Sequence, residues 1–310
     1  MGYFKYIARR LVSLIFVILG VTFIVFMIMS LSPGDPASFL LGADATVEAI
    51  EAKREELGLN LPVFVQYGRY MMNLFQGDFG TSFRTNQPVS SEVLGRFPNT
   101  VRLALTAVLF STVIAIPLGI IAAVKQNSLF DSLSMLTALI GLSMPVFWMG
   151  LLLILLFSLR LRWLPSFGAD ELRSIILPAL SLALINMASI ARATRSAMLE
   201  VIRQDYIRTA RAKGLPYGVV IRKHAVQNAM IPTITVVGLM VGSLLGGAVI
   251  VEAVFAWPGV GRLLVMSISS VDTPTVLGCV ILLSMSYTIV NLIVDLLYGL
   301  VNPRIRSQYS

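Results

Sequence analysis

The chain has 310 residues, of which 56% are hydrophobic and only 13% are charged, with a mean hydropathy of +0.83. Ordinary soluble domains carry about a quarter of charged residues, so this composition favours an integral membrane protein. The formal net charge of +8 does not call for nucleic acid, because the basic residues cluster in segments between apolar runs. A single cysteine, Cys279, excludes an internal disulfide framework.

The first ten residues are basic, and an apolar run over residues 11–31 follows them. This run is long enough to cross a hydrocarbon core of ~30 Å as a helix. Because no small-residue cleavage site follows it, we predict an uncleaved first span rather than a signal peptide. Lys5, Arg9 and Arg10 precede the run and predict a cytoplasmic N-terminus.

Residues 32–97 carry scattered acidic and basic residues, so we predict that they lie outside the membrane. A charged surface helix is predicted over 45–57, and an amphipathic helix is predicted over 63–74. An outside segment of this size either caps the mouth of a pore and receives a partner, or is a loop without a function of its own. The residues leave both interpretations open.

Five more apolar runs predict five more spans, at 101–124, 133–159, 175–190, 231–251 and 276–300. Pro145 predicts a kink in the third span. With the N-terminus inside, lysine and arginine concentrate in the segments that are assigned to the cytoplasm. The sequence therefore predicts an all-α polytopic membrane protein with six transmembrane helices and both termini in the cytoplasm.

A basic stretch separates the fourth and fifth spans, and a short helix is predicted within it from Tyr206 to Gly214. Ile207, Ala210 and Gly214 fall on one side of this helix and form a narrow stripe of small or modest side chains. A helix with such a stripe can seat closely in a groove of another protein. The alternative is an ordinary basic loop that lies among lipid headgroups, and charge alone does not separate the two.

The short helix is predicted to end at Gly214, because glycine favours a helix C-terminus and Pro216 follows closely. A second helix is predicted from Tyr217 to about residue 230, with His224 and Asn228 one turn apart. A lone histidine supplies one ligand where metal sites need three or four, so no metal site is predicted.

The segments RTARAKG at 208–214 and HAVQNAMIP at 224–232 resemble the cytoplasmic loop of ATP-binding-cassette (ABC) importer permeases. The resemblance is closest to the first permease subunit of the dipeptide, oligopeptide and nickel branch. Ala210 and Gly214 match the loop motif of the wider superfamily, whereas Arg208 and Thr209 replace its usual glutamate and alanine, as is typical of this branch. Other stretches that look like the same branch lie at 32–37, 57–89, 98–105, 250–264 and 291–306.

The resemblance implies a type I ABC importer fold. Residues 1–94 would form the first span and an extracytoplasmic segment, 95–300 the permease core with a coupling loop at 192–230, and 301–310 a cytoplasmic tail. The implied partners are a second, similar permease, two nucleotide-binding ATPase subunits, an extracytoplasmic substrate-binding protein and the lipid bilayer, with no nucleic acid. The implied location is the cytoplasmic membrane of a bacterium or archaeon.

The resemblance also assigns residues to the contact with an ATPase subunit. The expected coupling residues are Asp205, Arg208, Thr209, Ala210, Arg211, Ala212, Lys213, Gly214, Leu215, His224 and Asn228. On the outer side, residues 32–97 and 252–274 are expected to be exposed to the binding protein. A gate or binding-protein contact there would involve Glu252, Trp257, Pro258 and Arg262, and a plain interfacial turn is the alternative.

The chain is not expected to be an enzyme by itself. None of its five lysines (Lys5, Lys53, Lys125, Lys213 and Lys223) follows a glycine, so it has no phosphate-binding loop of the Gly-x4-Gly-Lys-Ser/Thr type. The sequence therefore predicts no cofactor on this chain, and the resemblance implies that the partner subunits bind ATP and Mg. A membrane-anchored enzyme would also need a catalytic constellation, which the sequence does not contain.

The expected function is the permease subunit of an ATP-driven importer of dipeptides or oligopeptides, with nickel or metal chelates and glutathione as alternative substrates. A less favoured hypothesis is a self-sufficient secondary transporter that uses Asp295, an acid within the sixth span, as its proton or sodium site. A packing role for Asp295, or a contact with the basic loop, is the competing interpretation.

Overall fold

The computed structural model describes residues 2–32, 34–42 and 44–301, and the predicted cytoplasmic tail beyond residue 301 lies outside these ranges. Within the described residues every regular element is a helix, apart from one isolated bridge between Thr81 and Pro88. In chain order the α-helices are α1 (Gly2–Leu31), α2 (Pro36–Leu41), α3 (Val47–Glu56), α4 (Val63–Phe75), α5 (Val89–Val124), α6 (Leu129–Ser143), α7 (Val146–Leu153), α8 (Ile176–Ile202), α9 (Asp205–Ala212), α10 (Tyr217–Val219), α11 (Val226–Val254), α12 (Val260–Ser269) and α13 (Thr273–Val301). Ile154–Arg160 and Val220–Ala225 form π-helices, and Leu172–Ile175 forms a 3-10 helix.

Apolar helices of membrane-spanning length confirm the prediction of an all-α polytopic protein. Five continuous stretches are long and apolar enough to cross a membrane, namely Val12–Leu31, Val89–Val124, Leu172–Ile202, Tyr217–Gly246 and Thr273–Leu296. A sixth candidate is the pair Leu129–Ser143 and Val146–Arg160, which bends by 106° at its break. The described residues therefore hold six spans when this bent pair is counted as one.

The break between α6 and α7 is much sharper than the kink that Pro145 predicts. Met144 has the extended backbone angles φ −87° and ψ 131°, and Pro145 stands at the N-terminal cap of α7. Proline disfavours helical geometry in the residue before it and cannot donate a backbone hydrogen bond. These two restrictions explain why the chain begins a new helix here rather than continuing the old one.

Two helices extend past the span boundaries that hydropathy predicts. The fourth span was expected to end near residue 190, but α8 continues to Ile202 and carries Arg195 within the helix. The predicted second loop helix and the fifth span form one continuous helical run from Tyr217 to Val254. Pro232 lies inside α11 without ending it. These helices contain polar residues, so hydropathy alone did not predict where they begin and end.

The chain divides into two compact units, one of residues Met1–Thr100 with Pro258–Ile289 and one of Val101–Trp257 with Val290–Ser310. In the first unit, the predicted helices at 45–57 and 63–74 are confirmed as α3 and α4. The α4 helix packs on α1, where the Tyr67 hydroxyl lies 3.1 Å from the Leu19 carbonyl oxygen.

Asp272 joins distant parts of the first unit. Its carboxylate accepts hydrogen bonds from Ser82 Oγ at 2.6 Å, the backbone N–H of Phe83 at 3.0 Å and Thr275 Oγ1 at 2.8 Å. Asp272 is only 1% exposed, and a buried carboxylate needs such donors to offset its desolvation. The residue therefore holds the turn before α5 against the start of α13.

The second unit has a continuous apolar core around α8. Of the candidate spans in the described residues, the one that contains α8 is the most buried. In its most apolar 18-residue stretch, 61% of the residues are buried. The core contains Leu103 of α5, Leu177 of α8 and Val251 of α11, together with Phe255 and Trp257. A separate apolar cluster, which includes Ala197 and Met198, packs the C-terminal end of α8 against the basic segment that follows it in the chain.

The glycines along α11 give a testable prediction about helix packing. A Cβ atom at Gly238 would lie 2.8 Å from Val294 Cγ1 of α13, whereas a Cβ atom at Gly246 would meet no atom within 4 Å. We expect Gly238→Ala to lower the free energy of unfolding by about 1–2 kcal/mol, because valine cannot move aside freely. Gly246→Ala is expected to be neutral or stabilising, since alanine favours helix. Thermal denaturation of the two purified variants compares them directly, and equal losses would contradict this packing.

Candidate coupling surface

The inner side of α9 packs against this chain. Ile207 is 1% exposed and Ala210 is 8% exposed, and both belong to an apolar cluster that includes Met198 of α8 and Val220. The sequence predicts that the stripe of Ile207, Ala210 and Gly214 can seat in a groove of a partner, but Ile207 and Ala210 pack against this chain instead. Burial of Ile207 and Ala210 fixes α9 to the rest of the second unit.

The outer side of α9 is formed by Asp205, Arg208, Thr209 and Ala212, all of which are exposed. The Asp205 and Arg208 side chains are 97% and 78% exposed, and their charged groups lie 3.7 Å apart. Such a surface pair contributes little to stability because water screens it. A helix that is anchored on one side and bears small, polar, weakly paired groups on the other is well suited to contact another protein.

Local interactions explain why Asp205–Ala212 forms a helix. Asp205 lies in its first turn and Arg211 in its last, which complements the helix dipole at both ends. The helix tolerates Thr209 because its hydroxyl is satisfied by the Asp205 carbonyl oxygen, to which it donates at 3.0 Å. After the helix ends, the Arg211 guanidinium lies 4.6 Å from the centre of the Tyr217 ring, so a cation–π contact links α9 to α10.

Gly214 ends α9 with a φ of +79°, and its N–H donates to the Arg211 carbonyl oxygen at 2.9 Å. A Cβ atom at this position would meet nothing within 4 Å, so the glycine is required by its backbone conformation and not by lack of space. Lys213 and Leu215 beside it are exposed. The predicted helix end is therefore confirmed, together with its physical cause.

Replacing Gly214 by valine is expected to strain this turn by about 1–2 kcal/mol, because a β-branched residue disfavours positive φ. We expect trypsin to cleave the variant faster at the exposed residues Arg211 and Lys213. Gly218→Val is a matched control, since Gly218 is also exposed and also has free space but lies in helix α10. Equal cleavage of the two variants would contradict a turn that depends on positive φ.

His224 and Asn228 lie on the helical run that follows the turn. They lie one turn apart as predicted, and the Asn228 side-chain amide donates to the His224 carbonyl oxygen at 2.8 Å. His224 is partly buried and Asn228 is exposed. Their predicted contact with an ATPase subunit stays a prediction. Among the described residues, no group of three or more histidine, cysteine or acidic side chains is arranged to hold a metal ion.

Asp131 and Arg195 form an ion pair that the sequence does not reveal. Arg195 Nε lies 2.6 Å from Asp131 Oδ1, and Arg195 Nη2 lies 2.7 Å from Asp131 Oδ2. Asp131 is 4% exposed and also accepts a hydrogen bond from the Asn127 N–H at 3.0 Å. The pair joins the start of α6 to α8, whose end leads directly into α9. The two residues are far apart in sequence, and no motif connects them.

Two of the four residues assigned to an outer gate are buried, whereas the sequence predicts that they are exposed. Glu252 is fully buried within α11 and Trp257 is 1% exposed, so the expected exposure of 252–274 is wrong at these two positions. Both belong to the second unit, whereas Pro258 and Arg262 belong to the first, and both of these are partly buried. A role for the four residues in a gate stays a prediction.

Asp295 lies in α13 and is partly buried. Its position within the last candidate span agrees with the sequence expectation. Neither the ion site of a secondary transporter nor a packing role follows from the position alone, so both interpretations stay open at this point.

The arrangement of spanning helices, with a short helix docked beside them, defines an all-α polytopic membrane protein. Solved structures share this fold. An amino acid ABC transporter crystallised with histidines matches 69% of this chain and 94% of its own, with a TM-score of 0.53 and 13% identity. The MetNI methionine ABC transporter in an inward-facing conformation matches 66% of this chain and 93% of its own, with a TM-score of 0.52 and 18% identity.

Sequence comparison identifies the family. Residues 115–307 match the family described as the inner membrane component of binding-protein-dependent transport systems, and residues 3–104 match its N-terminal family. The dipeptide transport system permease DppB of Alkalihalophilus pseudofirmus is 44% identical and covers 97% of this chain and 99% of its own length. The glutathione transport system permease GsiC of Escherichia coli K12 shows the same identity and coverage.

The chain therefore belongs to the family of binding-protein-dependent transport system inner membrane components. It is a permease subunit of an ABC importer, and the resemblance to the dipeptide and oligopeptide branch is confirmed. The family also implies an ATPase and a binding protein as partners in general terms.

Proposed function

We propose that this subunit imports dipeptides or oligopeptides and that the outer side of α9 transmits ATP hydrolysis to the pore. The observation that carries the coupling role is the two-sided construction of α9. Ile207 and Ala210 anchor one side in the chain's own core, while Asp205, Arg208, Thr209 and Ala212 present the other side to solvent. Force applied to the outer side would therefore reach α8 through packed side chains.

The substrate proposal rests on the relatives. One is named as a dipeptide permease and another as a glutathione permease, and glutathione is itself a small peptide. A short peptide with free charged ends is the chemistry that the two names share. Glutathione itself and nickel or metal chelates are the alternative substrates for the same machinery.

The energy source in this proposal is ATP, with Mg, bound by two nucleotide-binding partner subunits and not by this chain. The absence of a phosphate-binding loop in the sequence supports this division of roles. The remaining partners are a second, homologous permease and an extracytoplasmic binding protein. The complex would lie in the cytoplasmic membrane of a bacterium or archaeon, with both termini of this chain in the cytoplasm.

Uptake by reconstituted vesicles tests the proposal. We expect the complete complex, with its binding protein outside and ATP inside, to accumulate a labelled dipeptide, and unlabelled dipeptides to compete better than glutathione or nickel. Preferred uptake of glutathione or nickel would replace the substrate and leave the coupling role intact. Gradient-driven uptake by this chain alone, abolished by Asp295→Asn, would instead establish the secondary transporter.

A further inference from the structure

Helix α4 exposes a broad apolar side. Phe64 is 71% exposed, Val65 43%, Met72 60% and Phe75 74%, and these residues recur at helical spacing along one side of α4. The other side carries Tyr67, which packs on α1. Large apolar side chains that cluster on one side of a helix mark an interaction surface, whereas scattered ones need no explanation.

The exposed side of α4 continues the surface of a membrane span. Phe23 of α1 stacks on Phe64 with their ring centroids 6.4 Å apart, and Phe23 is itself 38% exposed. Phe16 and Ile28 on α1 are 70% and 61% exposed. Only 17% of the most apolar 18-residue stretch of this span is buried. The exposed apolar surface of a spanning helix meets lipid wherever no partner subunit covers it, and the adjoining surface of α4 then meets the same environment.

A groove between α1, α4 and α13 adds a second, independent observation. This cavity has a volume of about 270 Å³, and every residue that lines it is apolar. Its walls include Ile15, Leu19, Met71, Leu74, Ile281 and Met285. A peptide or a polar ligand would leave its hydrogen-bonding groups unsatisfied here, whereas a hydrocarbon chain has no such groups. The groove therefore fits a lipid acyl chain.

The polar margins of α4 indicate how deeply it lies. Arg69 is exposed on the side next to the apolar residues, and a guanidinium at the membrane interface can pair with lipid phosphates. Gln76 and Asp78, just after the helix, are also exposed, and an exposed carboxylate disfavours the hydrocarbon core. An apolar side bordered by basic and polar residues is typical of a helix that lies in the plane of the membrane interface.

We propose that α4 is an interfacial helix whose apolar side inserts into one leaflet of the bilayer, with a lipid acyl chain in the groove beside it. This inference goes beyond the coupling function and changes the view of the segment 32–97, which hydropathy alone places entirely outside the membrane. In this arrangement α4 anchors the first unit in the lipid, while the polar side of the helix stays in water. A protein partner over the same side is the competing occupant.

Nitroxide labels on single cysteines test the proposal in the complete complex, reconstituted in nanodiscs of phosphatidylethanolamine and phosphatidylglycerol. The reporters are Met72→Cys and Phe75→Cys on the apolar side of α4. Asn73→Cys is the matched control, because it is exposed on the same helix but lies on the polar side. Phe16→Cys is the lipid-facing reference on α1, and the native Cys279 is buried.

We expect the Met72 and Phe75 labels to collide more often with oxygen, which partitions into lipid, than with a water-soluble nickel chelate, as at Phe16. The Asn73 label is expected to show the reverse preference. Greater nickel accessibility at Met72 and Phe75 would overturn the proposal by showing that α4 lies in water. Protection of both labels from both reagents would overturn it in favour of a covering protein. Two reporter positions keep the test valid if one variant fails to assemble.

Discussion

Replacing Ala212 by tryptophan is expected to detach the ATPase subunits from the permease and to lower ATP-driven uptake at least about tenfold. Ala212 is the last residue of α9 and is exposed on its outer side, so an indole ring there would project into any protein that docks on Thr209 and Asp205. A tenfold loss corresponds to about 1.4 kcal/mol of binding free energy, which one misplaced aromatic ring readily costs. Co-purification of the ATPase subunits and vesicle uptake measure the two effects.

The stability of the chain should not change in this variant, because exposed substitutions usually alter the free energy of unfolding by no more than about 0.5 kcal/mol. Ala49→Trp is the matched control, since Ala49 is an exposed alanine on helix α3, in the other unit. It should retain the ATPase subunits. Full retention and full uptake in Ala212→Trp would contradict docking of an ATPase subunit at this position.

Replacing Asp131 by alanine is expected to lower the free energy of unfolding by about 2–3 kcal/mol. The substitution leaves the Arg195 guanidinium without the carboxylate that it contacts at 2.6 and 2.7 Å, and also removes the acceptor for the Asn127 N–H. Breaking a buried ion pair typically costs about 3–5 kcal/mol, and the 24% exposure of the Arg195 side chain lowers this estimate. Denaturant or thermal unfolding of the purified subunit measures the loss.

A double-mutant cycle separates the pair from other effects of each substitution. We expect Asp131→Ala and Arg195→Ala together to cost clearly less than the sum of the single losses, with a coupling energy of about 1–3 kcal/mol. Glu200→Ala is the control, because Glu200 is an exposed acid on α8, the helix that carries Arg195. This substitution should leave the free energy of unfolding nearly unchanged. Additive losses would contradict a stabilising interaction between the two side chains.

Much of the fold is predictable because long apolar runs and local turn chemistry act over short distances. The start of α3 follows from Thr46, whose hydroxyl accepts the N–H of Ala49 at 3.3 Å, and the end of α9 follows from Gly214. Helix ends within polar stretches were harder to place. The α8 helix continues to Ile202 because tertiary contacts, including the Asp131–Arg195 pair, stabilise residues that hydropathy assigns to a loop.

The candidate site was predictable in position but not in orientation. Periodicity places Ile207, Ala210 and Gly214 on one side of α9, yet it does not say whether that side meets a partner or the same chain. The answer depends on Met198 and Val220, which arrive from neighbouring helices. Likewise, nothing in the local sequence around Glu252 predicts that this acid is fully buried. Long-range packing decides both cases.

The central claim is that the outer side of α9 docks on an ATPase subunit. A photoreactive phenylalanine analogue at Thr209, in the assembled complex within native membranes, tests it most directly. We predict a crosslink to the ATPase subunit from Thr209 and none from the same analogue at Glu48, which is exposed on α3. Adducts with lipid alone at Thr209 would contradict the claim and would instead establish a basic loop that lies among the headgroups.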